Sequence, residues 1–124
     1  MEQKRVLVIE DSAYLAESLE DMLHIAGYAV TIAPNGRKGI EMALTEKPDL
    51  ILLDIRLPDI TGYEVFQSIR NDEWGKNAKI TILTASETTN VIAKNINVDQ
   101  QHILFKPEWS IQDLRTYITN RLSE

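Results

Sequence analysis

The sequence predicts an α/β fold in which helices cover both faces of one five-stranded parallel sheet. Three observations indicate this class: short apolar runs, amphipathic stretches between them, and regular alternation of the two along the chain. The runs are rich in Val, Ile and Leu, as is typical of parallel strands buried on both faces. The predicted strands are residues 6–9, 28–32, 50–53, 80–83 and 103–105. Right-handed crossovers then place the intervening helices on both faces of the sheet.

Each predicted strand is followed by a stretch with helical periodicity. The first helix stops at Gly27, the second ends before Pro48, and Ser110 is the predicted N-cap of the last. The apolar stripes of the first, second, third and last helices are, in that order, Leu15, Leu19, Met22, Leu23 and Ala26; Ile40, Ala43 and Leu44; Val65, Phe66 and Ile69; and Ile111, Leu114, Ile118 and Leu122. Residues 86–101 contain several poor helix formers, so only a marginal, mobile helix is expected there, with a stripe of Val91, Ile92 and Ile96.

Length and composition limit the function classes. The 124 residues predict a single domain spanning 1–124, and 44% hydrophobic with 26% charged residues is ordinary for a globular protein. The absence of cysteine excludes disulfides and thiolate metal sites. A formal net charge of −6 argues against direct nucleic-acid binding, and no apolar run is long enough to cross a membrane.

Polar residues follow four of the five predicted strands. Glu10 and Asp11 end the first strand, Asp54 the third, Thr84 the fourth and Lys106 the fifth. Because the carboxyl ends of parallel strands meet at one edge of a sheet, where ligands of such folds bind, these groups are expected to converge. Clustered carboxylates repel one another, and a hard cation such as Mg²⁺ relieves that repulsion by accepting their oxygens.

The third strand brings the most apolar run directly against a charge. In the stretch LILLDIRLPDITG, Asp54 follows four buried-looking residues, which makes it the best candidate for a central, rigid nucleophile that forms an aspartyl-phosphate. Thr84 could hydrogen-bond a phosphoryl oxygen, and Lys106 could neutralise another. Taken singly, each group has an ordinary structural explanation; Asp11, for example, could simply cap the first helix. Their joint occurrence favours the functional interpretation.

The sequence resembles the receiver domain of two-component response regulators. The residues that carry the resemblance are VLVIEDS at 6–12, DLILLDIRLPDITGYEV at 49–65, ITILTAS at 80–86 and LFKP at 104–107. In length and site spacing it is similar to stand-alone chemotaxis-type receivers. The resemblance implies a flavodoxin-like (βα)5 fold with strand order 2-1-3-4-5, and Pro58 and Gly62 match the family's loop after the acceptor strand.

The same resemblance implies a role for each site residue. Asp54 would accept the phosphoryl group, and Thr84 and Lys106 would bind its oxygens and couple phosphorylation to the face formed by the fourth helix, fifth strand and fifth helix. The expected cation is Mg²⁺ or Mn²⁺. Its implied ligands are Glu10, Asp11, Asp54 and the backbone carbonyl of Arg56. The Lys106–Pro107 peptide bond is expected to be cis, as is typical of the family.

The chain departs from the family pattern at several positions. Ile103 stands where the family usually has a switch aromatic, which puts the usual coupling of threonine to an aromatic ring in doubt. We expect the Arg56 side chain to reach the phosphoryl site and alter its lifetime, and the small Ser86 to leave water access open. Trp109 is either an exposed anchor for a partner or a ring packed over the start of the last helix.

Partners and location follow from the resemblance alone. It implies a cytoplasmic signalling switch that is a monomer or weak dimer and catalyses only its own phosphorylation and dephosphorylation. The expected partners are a histidine kinase or His-phosphotransfer protein and a downstream protein target. The chain is then either a stand-alone receiver or the N-terminal receiver of a longer protein.

The same residues bear on three other interpretations. A Mg²⁺-dependent aspartyl phosphohydrolase typically needs a second acid two residues beyond the nucleophile, where this chain has Arg56. A flavin or nucleotide binder of this fold would need a Gly- or Ser/Thr-rich loop after the first strand, whereas residues 10–12 would repel phosphate. A degenerate receiver acting only as a protein-binding module is expected to lack Asp54, Lys106 or the acid pair, and all are present.

Overall fold

A computed structural model describes residues 3–85 and 89–124 and has the predicted α/β architecture. The strands are β1 (Arg5–Ile9), β2 (Ala29–Ala33), β3 (Leu50–Asp54), β4 (Ile80–Thr84) and β5 (Ile103–Phe105). The helices are α1 (Ala13–Ile25), α2 (Gly36–Glu46), α3 (Gly62–Asn71), α4 (Thr89–Asn95) and α5 (Ile111–Leu122). All strand pairs are parallel, and the order β2-β1-β3-β4-β5 is the one implied by the resemblance.

Strand alternation divides the core into two apolar layers. Side chains from one face of the sheet, such as Ile51 and Ile82, pack with residues of α2, α3 and α4. Side chains from the other face, such as Leu52 and Leu83, pack with residues of α1 and α5. Every residue of β3 and β4 is buried, which explains why their sequences are mostly apolar rather than alternating between apolar and polar residues.

Short polar side chains fix where the helices begin. Ser12 and Asn35 accept hydrogen bonds from backbone N–H groups in the first turns of α1 and α2. Thr61 with Glu64 and Ser110 with Asp113 form reciprocal capping boxes at α3 and α5. The prediction of Ser110 as an N-cap is confirmed. At α1 the cap is Ser12 rather than Asp11, which leaves the Asp11 carboxylate available for another role.

The fourth helix is short. It covers Thr89–Asn95, within the predicted stretch 86–101, and a 3₁₀ turn follows at Gln100–His102. Ile92 and Ile96 are buried, but Val91 is 48% exposed, so its predicted place in the apolar stripe is wrong. The buried pair has the helical spacing i, i+4, whereas Val91 lies one residue before it and faces away. Within the described ranges, no helix is long and apolar enough to cross a membrane.

Candidate functional site

Three carboxylates meet at the carboxyl edge of the sheet. Ile9 pairs with Leu53, so the residues that follow them, Glu10 and Asp54, lie side by side on neighbouring strands. One oxygen from each of these two carboxylates and from Asp11 lies within 4.8 Å of the others. Glu10 and Asp54 are only 3% and 6% exposed, whereas Asp11 is open to solvent. The sheet therefore brings together the acid cluster that the sequence predicted.

Lys106 lies between the two buried carboxylates. Its Nζ donates hydrogen bonds to Glu10 Oε1 at 2.7 Å and to Asp54 Oδ2 at 3.2 Å. The other carboxylate oxygens also have donors: the Ser12 N–H reaches Glu10 Oε2, and the Arg56 N–H reaches Asp54 Oδ1, both at 3.2 Å. Each buried carboxylate is thus both paired with a cation and hydrogen-bonded to the backbone, which offsets the cost of burying it.

The electrostatics of the cluster follow from burial and crowding. Burial raises the pKa of Glu10, the negative charge of Asp54 raises it further, and Lys106 acts in the opposite direction without cancelling the rise. Burial alone would lower the pKa of Lys106, but its hydrogen bond to Glu10 and the charges of Asp54 and Glu10 raise it. Lys106 therefore remains an ammonium group beside two carboxylates.

Thr84 is the last residue of β4, the strand that pairs with β3. Asp54 pairs with Leu83, which puts Thr84 one residue beyond Asp54 toward the open edge. Thr84 in turn pairs with Phe105, directly before Lys106, and it is 1% exposed. The register therefore brings together at one edge all five strand-end groups, Glu10, Asp11, Asp54, Thr84 and Lys106.

The loop after β3 is held by backbone contacts. Gly62 begins α3, and its N–H donates to the Ile55 carbonyl at 2.8 Å. A Cβ at position 62 would lie 2.5 Å from the carbonyl oxygen of Asp54 and 2.6 Å from Ile55 Cα. Only glycine allows this approach, so Gly62 brings the start of α3 directly against the end of the strand that carries Asp54.

The sequence reasoning missed the role of Asp59. Its carboxylate accepts hydrogen bonds from the backbone N–H groups of Gly36 at 2.8 Å and Arg37 at 2.9 Å, which are at the start of α2. Burial acts to raise the pKa of Asp59, yet these backbone donors, Arg37 first, lower it to about 2. Asp59 thus ties the loop after Asp54 to a neighbouring helix. Asp59 lies two residues before the N-cap of α3, and nothing in the sequence around it indicates that its hydrogen-bond partners lie in α2.

The predicted cis peptide bond at Lys106–Pro107 is wrong, because no described peptide bond is cis. Pro107 lies in a 3₁₀ turn over Lys106–Glu108, which the Trp109 N–H closes by donating to the Lys106 carbonyl at 3.1 Å. A prolyl bond prefers trans by about 0.5–1 kcal/mol in the absence of an opposing constraint, and this turn accommodates the trans form.

The remaining predicted positions have different surroundings. Ile103 is 3% exposed and packs in the same apolar layer as Ile92 and Ile96 from the region of α4. Arg56 is exposed, and Ser86 lies outside the described residues. His102 points away from Ile103, as expected for successive residues at a strand: its Nδ1 lies 2.6 Å from the Tyr117 hydroxyl, which also lies 2.8 Å from Thr81 Oγ1. This polar bridge between β4 and α5 was not predicted, because no local pattern encodes it.

The acid cluster fits a hard divalent cation by its donor chemistry. It offers carboxylate oxygens from three residues, two of them held rigidly at strand ends, and no softer ligand lies among its members. Mg²⁺ and Mn²⁺ take such oxygen ligands, and Mg²⁺ commonly retains waters and contacts a phosphate. The ammonium group of Lys106 lies on one side of the cluster, while Asp11 lies on the solvent side.

Comparison with protein families gives a match consistent with this geometry. The family model of the response regulator receiver domain matches residues 6–119. The chain belongs to this family. Receiver domains are the signalling switches of two-component systems, and their acidic pocket binds Mg²⁺.

Individual receivers agree with the family match. The chemotaxis protein CheY of Thermotoga maritima is 31% identical over 84% of this chain and 86% of its own length. The probable transcriptional regulatory protein SilR of Salmonella typhimurium is 34% identical over 83% of this chain. The match covers 44% of SilR, so this chain corresponds to less than half of that relative.

A solved receiver bears on the metal site. The receiver domain of the sensor histidine kinase PA1611 from Pseudomonas aeruginosa has a magnesium ion coordinated in its active-site cleft. It is 27% identical to this chain, with a TM-score of 0.86 over 99% of this chain and 100% of its own.

Proposed function

We propose that this receiver accepts a phosphoryl group on Asp54 from a histidine kinase or a His-phosphotransfer protein. The observation that carries the proposal is the contact of Lys106 with Asp54 Oδ2 at 3.2 Å within a cluster of three carboxylates. An amine beside a strand-end carboxylate suits a group that alternates between a free and a phosphorylated form. Neutralisation of charge supplies most of the catalysis in phosphoryl transfer.

The proposed transfer is a single displacement at phosphorus. An Asp54 carboxylate oxygen forms a bond to phosphorus while the P–N bond of the donor phosphohistidine breaks. The imidazole leaves with the electron pair of that bond and takes up a proton. Dephosphorylation is attack by water on the phosphorus, which releases inorganic phosphate and restores the carboxylate of Asp54.

The roles of the surrounding residues follow from their positions. Lys106 would transfer one of its hydrogen bonds from the Asp54 carboxylate to a phosphoryl oxygen, and Thr84, one residue further out on β4, would donate to another. The oxygens of Glu10, Asp11 and Asp54 and the backbone carbonyl of Arg56 would hold Mg²⁺ or Mn²⁺. The cation, when bound, supplies neutralisation of the charge on the phosphoryl oxygens. The exposed Arg56 side chain and Ser86 would tune the lifetime of the phosphorylated state.

The output surface in this proposal is the face formed by α4, β5 and α5. Movement of Thr84 and Lys106 toward the phosphoryl group would shift the ends of β4 and β5, which precede α4 and α5 along the chain. Ile103 offers no ring or hydroxyl to rotate inward. Any coupling on this face would therefore use the packing of Ile103 with Ile92 and Ile96 rather than an aromatic rotation.

Intact-mass measurement tests the proposal. The protein is incubated with a small acyl phosphate such as acetyl phosphate, with Mg²⁺ or with chelator. We expect one phosphoryl group to be added only when Mg²⁺ is present, and none on Asp54→Asn. Asp21→Asn is the matched control, because it makes the same change at an exposed position on α1, away from the acid cluster, and should retain the uptake. Uptake that persists on Asp54→Asn, or that needs no metal, would contradict the proposal.

A further inference from the structure

A pocket separate from the acid cluster lies on the side of the molecule formed by α5 and the turn before it. Its volume is about 560 Å³. It is lined by Glu108, Trp109, Asp113, Thr116, Tyr117 and Asn120. None of these residues belongs to the acid cluster around Asp54. We call it the Trp109 pocket.

Two aromatic rings form a corner of the pocket. The rings of Trp109 and Tyr117 meet edge to face, with centroids 5.7 Å apart and planes inclined at 79°. The Tyr117 ring is held from behind, because its hydroxyl lies 2.8 Å from Thr81 Oγ1 and 2.6 Å from His102 Nδ1. Burial raises the pKa of Tyr117, so the ring remains neutral. Tyr117 is therefore held in place by its hydroxyl contacts, and the Trp109 ring packs against it.

Two carboxylates line the same pocket. Glu108 and Asp113 are both exposed, and neither forms an ion pair with a lysine or arginine in the part of the chain that the structure describes. Asp113 uses one oxygen, Oδ2, to accept the Ser110 N–H in the capping box of α5. The pocket thus combines two aromatic rings with negative charge that no cation of the described chain neutralises.

We propose that the Trp109 pocket binds an arginine side chain presented by a basic segment of a protein partner. A guanidinium group can stack on an aromatic ring and also donate paired hydrogen bonds to a carboxylate, so it uses both features of the pocket. A nucleic acid or an anionic lipid surface would be repelled by the same carboxylates and by the formal charge of −6. The proposal does not rest on phosphorylation of Asp54.

The Trp109 pocket adjoins the 3₁₀ turn that contains Lys106, because Glu108 belongs to both. The Trp109 N–H donates to the Lys106 carbonyl at 3.1 Å, which closes the 3₁₀ turn Lys106–Glu108. A partner that immobilises Trp109 therefore contacts a residue hydrogen-bonded to the backbone of Lys106. The pocket uses the α5 side of the molecule, whereas Ile103 and α4 lie on the other face of the sheet.

An NMR titration tests the proposal. The ¹⁵N-labelled protein is titrated with the peptide acetyl-Gly-Arg-Gly-amide and, separately, with the same peptide carrying citrulline, which has the shape of arginine without its charge. We expect the arginine peptide to bind at least about tenfold more tightly, since loss of a charge-assisted contact of 1.4 kcal/mol is a factor of ten. The Trp109 indole resonance should shift, while that of Trp74, the other tryptophan, should not.

Charge variants distinguish binding of the arginine peptide at the Trp109 pocket from general attraction of a cationic peptide to an acidic protein. Glu108→Gln combined with Asp113→Asn should remove the preference for arginine, and the asparagine can still accept the Ser110 N–H that caps α5. Glu41→Gln with Asp21→Asn changes the net charge equally at exposed positions elsewhere and should retain the preference. Equal binding of the two peptides, or equal weakening by both double variants, would overturn the proposal. A Trp109 shift that depends on protein concentration without peptide would also overturn it, in favour of a second copy of the chain.

Discussion

At the scale of single residues, the site depends on a few side chains placed within a hydrogen-bond length of one another. Glu10 and Asp54 are almost completely buried, and Lys106 donates to both. Removing one member of such a group leaves charge in the interior without its partner, and this is more costly than replacing the whole group by apolar residues.

Lys106→Met is therefore expected to destabilise the protein in the absence of divalent cations by roughly 3 kcal/mol, because two buried carboxylates lose their shared ammonium group. Added Mg²⁺ should recover more stability in this variant than in the unmodified protein, since the acid cluster has gained negative charge. Thermal unfolding with and without Mg²⁺ measures both effects. Lys76→Met, which removes an exposed lysine, should show neither. A Lys106→Met protein as stable as the control would argue against the central position of this amine.

Gly62→Ala tests the contact between α3 and the end of β3. The added Cβ would lie 2.5 Å from the Asp54 carbonyl oxygen, so the backbone must shift, at a cost of about 1–3 kcal/mol. The shift displaces Asp54, and phosphoryl uptake from acetyl phosphate should slow. Gly27→Ala is the control: a φ of 96° strains the alanine, but nothing lies within 4 Å of its Cβ. If both variants lost stability and both kept the uptake rate, Gly62 would be needed for folding alone.

At the scale of elements, β4, the start of β5 and α5 are joined by a polar bridge. Tyr117 contacts Thr81 on β4 and His102 immediately before β5. Thr81 is fully buried, so its hydroxyl depends on this partner. The bridge lies on the α5 side of the sheet, opposite the apolar contact of Ile103 with the α4 region, so two different kinds of contact hold β5.

Tyr117→Phe should cost about 1–3 kcal/mol of unfolding free energy, because it leaves the buried Thr81 hydroxyl without its phenolic partner. Tyr28→Phe is the matched control, since the contact of the Tyr28 hydroxyl with Thr119, at 3.4 Å, is exposed to solvent. Its effect should stay within about 0.5 kcal/mol. Urea denaturation of the two variants compares them directly, and equal stabilities would show that the bridge contributes nothing.

His102 should make stability depend on pH. Burial, with the nearby charge of Arg121, lowers the pKa of His102 below its ordinary 6.5, while Glu124 and Asp99 act in the opposite direction. The unfolded chain then binds a proton more readily than the folded one, so the stabilisation is present above pH 6.5 and is lost as the pH falls through the folded-state pKa. His102→Gln should reduce the loss of stability between neutral pH and pH 5, which urea denaturation at a series of pH values measures. A steeper loss of stability in His102→Gln would show that folding does not lower the pKa of His102.

At the scale of the whole molecule, the sequence was sufficient for the fold and for the identities of the groups at the sheet edge. Five apolar runs predicted the five strands to within a residue or so at each end. Strand-end position then selected Glu10, Asp11, Asp54, Thr84 and Lys106 together. Both predictions rest on a pattern that repeats along the chain, namely apolar runs that alternate with helical stretches. Because the strands are parallel, the residues that follow these runs lie together at one edge of the sheet.

What the sequence could not predict depends on contacts between distant residues or on small energy differences. The hydrogen bonds of Asp59 with the start of α2, and those of Tyr117 with Thr81 and His102, join residues far apart in sequence without any repeating pattern. A prolyl bond intrinsically favours trans by only about 0.5–1 kcal/mol, so the isomer at Pro107 depends on its surroundings, and the family resemblance predicted it wrongly. The exposure of Val91 follows from the rotation of a seven-residue helix, too short for its stripe to be read reliably from sequence.

Asp54 is proposed as the carboxylate that carries the phosphoryl group, and chemical mapping identifies the residue that carries it. After phosphorylation in the presence of Mg²⁺, borohydride reduces an aspartyl-phosphate to homoserine, and trypsin should release residues 39–56 apart from residues 57–70. We predict homoserine at position 54 and unmodified aspartate at positions 49 and 59. Homoserine at either of those positions or at position 11, or its absence from the chain after phosphorylation, would show that Asp54 is not the acceptor.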